Sequence, residues 1–170
     1  MTAPPHRPFR PPGRLAVRTA AASAAVLLAG CSFGSPSGPA VPSPSGAAAS
    51  ACRDLAEALP ERVDGQERVT REPVSDYTAV WGDPGIELRC GVRRPERLTS
   101  GSEHYNPLAE AVVVNDVDWL LEELADGHRF TTVGRDAFVE VTVPAAYAPE
   151  VNALTDLARP VATTVPQSPT

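Results

Sequence analysis

The chain has 170 residues, with 15 basic and 21 acidic side chains and a net charge of −6, and every basic residue is arginine. Without lysine it can carry no Walker-type phosphate loop, no Ser-x-x-Lys nucleophile and no Schiff-base lysine. The acidic balance argues against nucleic acid as a partner, because such a partner needs a basic face.

Arg7, Arg10, Arg14 and Arg18 form a positive leader with no acidic residue, and Thr19–Ala29 is an alanine-rich apolar stretch. That is the length of a secretory signal core; a membrane-spanning helix needs roughly 20 apolar residues. The stretch ends in Leu28-Ala29-Gly30-Cys31, the form of a bacterial lipobox, whose cysteine is lipidated and becomes the new N-terminus. Residues 1–30 therefore read as a lipoprotein signal peptide and Cys31 as the lipid attachment site. Palmitate-type chains contribute about 0.8 kcal/mol per buried methylene, and two or more hold where one is marginal. Loss of the four leader arginines takes the net charge from −6 to −10, so the anchor gains nothing from anionic headgroups. The expected location is the extracytoplasmic face of the cell membrane.

From Cys31 to Ala51 the chain is almost wholly Ser, Pro, Gly and Ala. Such a composition has no periodicity and few side chains to bury, so it reads as a tether. Residues 52–159 read as a single domain, and 160–170, again rich in Pro, Thr and Ser, as a loose tail.

Within the domain, Cys52, Leu55, Ala56 and Leu59 recur at helical spacing, with Ser50 as the cap and Pro60 as the stop. Val63-Asp64-Gly65-Gln66 marks a turn, and Tyr77–Gly82 reads as a strand. Asp83-Pro84-Gly85-Ile86 fits a type II turn with Gly85 at the left-handed position. Ile86, Leu88 and Cys90 alternate with Glu87 and Arg89, which predicts a half-buried strand over Ile86–Val92. Arg93–Pro107 is polar and irregular, and Val112–Val114 begins another apolar run. Trp119–Leu124 suits either strand or helix; strand is favoured because Asp126-Gly127 signals a hairpin and Phe130–Val133 follows as strand. Gly134-Arg135-Asp136 is a turn, and Phe138 to Val143 is a β-rich run ended by Pro144. A helix starting at Pro149 and stopped by Pro160 closes the domain. The result is an α+β fold, a small and largely antiparallel sheet with one N-terminal and one C-terminal helix.

With Cys31 committed to lipid, Cys52 and Cys90 remain in a compartment that oxidises thiols, and a disulfide is favoured over two buried thiols or a catalytic Cys90. Beyond the leader, His104 and His128 are the only histidines, too few for a closed zinc site, and both read as solvated loop residues. No metal or other cofactor is expected. The candidate ligand-binding residues are Trp81 and Trp119, which can stack on a sugar or peptide, and Arg135, whose fork can hold a carboxylate or phosphate. Against that stands burial in the core for the tryptophans and loop-tying for the arginine. Asp116 and Asp118 would share a face if their segment is strand, offering two carboxylates for acid–base work.

Three groups of motifs carry a resemblance. They are Cys52-Arg53-Asp54-Leu55, then Trp81-Gly82-Asp83-Pro84 running into Arg89-Cys90-Gly91-Val92, and then Asn115-Asp116-Val117-Asp118-Trp119 followed by Phe130–Arg135. Together they resemble an uncharacterised family of actinobacterial lipoproteins, over nearly all of Cys52–Arg159. The resemblance implies a location and a domain extent and carries no activity. The function expected is a binding or accessory module of the cell envelope. Its expected partners are the membrane, through the lipid, and an envelope protein or cell-wall component. A cell-envelope enzyme using Asp116 and Asp118 is the alternative.

Overall fold

Two tight turns set the register of the sheet. Asp64 and Gly65 have φ of +47° and +74°, and Asn115 and Asp116 have +46° and +65°. Left-handed backbone at both loop positions is the signature of a two-residue type I′ hairpin, and Asn, Asp and Gly bear it most easily. Val63 therefore faces Gln66, and Val114 faces Val117. The structure, a computed structural model, describes residues 38–169, so the signal peptide and Cys31 lie outside the described residues.

In chain order the elements are α1 (Gly46–Ala58), β1 (Arg62–Val63), β2 (Gln66–Val69), β3 (Thr78–Trp81), β4 (Ile86–Val92), β5 (Ala111–Val114), β6 (Val117–Leu124), β7 (Gly127–Thr132), β8 (Phe138–Val143) and α2 (Asn152–Thr164). The eight strands form one sheet in the order β1-β2-β3-β4-β8-β7-β6-β5, and every pairing is antiparallel. Two meanders, β1–β4 and β5–β8, meet where β4 pairs with β8. Among the described residues the fold is α+β, with one α-helix before the strands and one after them.

Strand alternation divides the sheet into two faces. Ile86, Leu88 and Cys90 of β4 share one face with Val139, Val141 and Val143 of β8 and with Phe130 and Trp119. All of these are buried, together with Leu55 of α1 and Leu154, Leu157 and Val161 of α2. Each leucine fully withdrawn from water contributes roughly 1.5–3 kcal/mol. A disulfide between Cys52 and Cys90, with Cα atoms 5.5 Å apart, joins the middle of α1 to β4.

Strands β3, β4, β6 and β8 fall where the sequence pattern places them, Trp119–Leu124 is strand, and β7 runs over Gly127–Thr132 where Phe130–Val133 is expected. Four local expectations are corrected. First, α1 begins at Gly46, with Ser45 rather than Ser50 at its N-cap, so residues 46–51 are helix and not tether. Residues 38–45 are fixed as well: Gly38 N–H donates to Glu72 O at 2.7 Å, Arg89 Nε–H donates to Ala40 O at 2.8 Å, and Pro39 and Pro42 are buried. Second, α2 runs through Pro160 to Thr164. An interior proline costs about 3 kcal/mol, but Val161 and Val165, both at 0 % exposure, are buried only if the chain continues. Roughly 1.5–3 kcal/mol for each valine offsets that cost. The segment 160–169 is therefore part of the fold, and Gln167 forms a bridge with Arg135.

Third, the left-handed residue in the β3–β4 turn is Gly82, at φ +74°, and not Gly85. Gly85 is required for a different reason, since a Cβ there would lie 2.7 Å from Val80 Cγ1. Fourth, His128 lies on β7, not in a loop.

Candidate functional site

The three residues singled out as ligand contacts are interior. Trp81 and Trp119 are at 0 % exposure and Arg135 at 6 %. Trp81 faces Ile86 across β3–β4, and its indole Nε1–H donates to Pro60 O at 3.0 Å, closing the end of α1 onto the sheet. Trp119 faces Val112 and Thr132, and its Nε1 has no protein partner. Arg135 donates from Nη1 to Val165 O at 2.6 Å and from Nη2 to Asp116 O at 3.4 Å. Burial lowers its pKa, with Asp118 acting in the opposite direction. Arg135 thus ties the C-terminal segment to the β5–β6 turn, and no fork remains for a ligand. Nor do the three converge: β3 and β6 stand four places apart in the sheet, roughly 19 Å at normal strand spacing. Trp81 and Trp119 thus point into the core from their strands and Arg135 is buried in the turn after β7, so the three expected ligand contacts share no exposed face.

The carboxylate pair is also rearranged. Asp116 belongs to the type I′ turn and only Asp118 to β6, so strand alternation does not set them side by side. Among the described residues no group of three His, Cys, Asp or Glu is placed to hold a metal ion. His104 lies 3.7 Å from Glu96, and His128 Nδ1 lies 3.1 Å from Glu150 Oε1. The Glu150 pKa is lowered, first by its own backbone N–H and then by His128. Beside that pair, Val112, Leu121, Phe130, Pro149 and Val151 line a shallow apolar hollow of about 160 Å³.

The face of the sheet away from the helices carries a belt of charge that no single segment reveals. Arg89 on β4 stands opposite Glu140 on β8, and Arg129 on β7 approaches the same carboxylate. Arg89 Nη1 lies 2.9 Å from Glu140 Oε1, Arg129 Nε lies 3.6 Å from Oε2, and Arg97 Nε lies 3.4 Å from Glu122 on β6. Glu140, at 13 % side-chain exposure, is shared by two guanidinium groups. Over this belt runs the strap of residues 38–45. Val41, Pro42 and Ser43 form one wall of a groove of about 510 Å³, and Arg89, Gly91, Arg93 and Glu140 lie along it. At about 510 Å³ the groove is larger than the hollow beside His128, and three charged side chains, Arg89, Arg93 and Glu140, line it. Arg89 already spends Nε on Ala40 and Nη1 on Glu140, which leaves Arg93, exposed at its rim, as the guanidinium placed to meet an arriving group.

Glu87, on the same face, has its pKa raised by burial, with Arg89 and Arg71 opposing the shift and Glu140 adding to it. A carboxyl whose folded pKa lies above its unfolded value binds protons more readily in the folded state. Its charged form therefore opposes folding above that range, and the penalty vanishes below the unfolded pKa. Glu87→Gln is expected to raise the thermal midpoint at pH 7 and to leave it unchanged near pH 3. A lower midpoint at pH 7 would show that pairing with Arg89 outweighs desolvation.

The architecture is an open antiparallel sheet with one helix-covered face and one face crossed by an N-terminal strap. Residues 15–170 match the family model described as a protein of unknown function, DUF3515, and the chain belongs to that family. The match is wider than Cys52–Arg159; it takes in the strap and the C-terminal segment that the structure packs onto the sheet. No curated protein and no solved structure matches the chain.

Proposed function

We propose that the protein is a lipid-anchored, extracytoplasmic binding or accessory module of the cell envelope. The observation that carries this reading is the ordered run of leader arginines, apolar core and Leu28-Ala29-Gly30-Cys31. The Cys52–Cys90 bridge supports it, because such bonds persist in oxidising compartments. No helix among the described residues is long and apolar enough to cross a membrane, so the retention proposed here depends on Cys31. Its partners are the lipid surface and an envelope protein or wall component received on the outer sheet face.

Cys31→Ser provides the test. In this reading the native chain incorporates radiolabelled palmitate and sediments with membranes, whereas the variant incorporates none and appears in the soluble fraction. A variant that stays membrane-bound at the native level overturns the assignment.

A further inference from the structure

The strap determines where the chain enters the fold. Gly38 approaches the β2–β3 connection so closely that a Cβ on it would lie 2.9 Å from Arg71 Cβ, while its N–H donates to Glu72 O. Ala40 is held by Arg89, and Pro44 sits on Gly91, where φ is +84° and a Cβ would lie 2.5 Å from Pro44 Cβ. With three attachments at positions 38, 40 and 44, the leash from a lipidated Cys31 is the run from 31 to 38, seven residues rather than the full stretch to the helix.

Seven residues span at most roughly 25 Å, the limit set by bond lengths alone. A folded unit of this length has a radius of gyration of roughly 14 Å and so measures about 35 Å across. A leash shorter than the body it holds restricts rotation, and the point of attachment must stay near the lipid. Resting on the anchor reading, we propose that the protein docks on the bilayer in a set orientation. The β2–β3 connection around Val74 meets the lipid surface, and the β6–β7 hairpin at Asp126 points away from it.

Val74 suits that position, since it is an apolar side chain left 68 % exposed beside the entry point. It lines the same hollow as Pro39 of the strap. Charge does not produce this docking. The mature net charge of −10, once the leader arginines are gone, is repelled by anionic headgroups, and Arg71 at the entry point is paired with Asp83 at 3.1 Å. The orientation is therefore set by leash length and insensitive to salt.

The test uses the mature lipidated protein carrying Val74→Cys or Asp126→Cys, each labelled with a fluorophore and reconstituted into phosphatidylcholine vesicles containing a nitroxide headgroup lipid. Co-flotation with the vesicles reports the anchor, and quenching reports the orientation. The expected result is flotation of both proteins, with quenching at position 74 several-fold stronger than at 126 in low and high salt. A Gly/Ser insert of about twenty residues between Ser37 and Gly38, with a reach of roughly 25 Å, should bring the two positions to equal quenching. Equal quenching at native leash length, or stronger quenching at 126, overturns the orientation and leaves the anchor standing. Protein that does not float overturns the anchor reading, and the orientation with it.

Discussion

Replacing Cys52 and Cys90 together by alanine should lower the stability of the domain by about 4 kcal/mol, most of it through the unfolded chain. The bridge closes a loop with a sequence separation of 38, and the loop-closure entropy of that length is worth roughly 4 kcal/mol at 25 °C. Inside that loop lie the end of α1, the β1–β2 hairpin and all of β3. β1 and β2 offer little apolar surface of their own, so their docking leans on the constraint. Both sulfurs are buried, and alanine fills the site without adding a polar group. In urea the midpoint should fall and the slope should rise, because the unfolded chain without the cross-link is more expanded and exposes more surface, and the thermal midpoint should drop by roughly 10–20 °C. A loss below about 1 kcal/mol would show that packing of Leu55 and Leu59 against the sheet holds α1 without help from the bridge.

Legibility from sequence followed locality. Ile86–Val92 was readable to the residue, because strict alternation is a local property and β4 has those bounds. Asp64-Gly65 was readable as a turn because its backbone demand is local too. The strap was not, since Ser, Pro, Gly and Ala in residues 38–45 carry no period. Their order comes from Gly91, Arg89 and the Arg71–Glu72 backbone, which lie tens of residues later. Pro160 shows the same limit from the other side: a sound local rule for ending a helix loses to Val161 and Val165 finding room in the core. The groove was invisible for a further reason. Arg89 and Glu140 are neighbours only because β4 pairs with β8, and that pairing joins the two meanders at their longest range. For Trp81, Trp119 and Arg135 the residue types were compatible with a ligand and with a core. Alternation with buried neighbours, already present in Trp119 beside Val117, was the signal that favoured the core.

Trp81→Ala is the sharper test of that last distinction, because the core and ligand readings predict different losses. In the core reading, removing a fully buried indole costs about 3–5 kcal/mol in cavity and transfer terms. It also leaves the Pro60 carbonyl without the donor that meets it at 3.0 Å, and Arg68 loses the ring face it covers at 5.9 Å. Trp81→Phe separates these contributions. It keeps most of the apolar volume and loses the N–H, so its cost should be about 1–3 kcal/mol. Equilibrium unfolding of the three proteins should therefore rank native, Phe and Ala in descending stability. A surface tryptophan serving a ligand would leave all three within about 0.5 kcal/mol of one another. The end of α1 should loosen in the Ala variant first, with faster amide exchange around Leu59 than around Leu154, because Pro60 is held by Trp81 whereas α2 is held by its own valines and leucines.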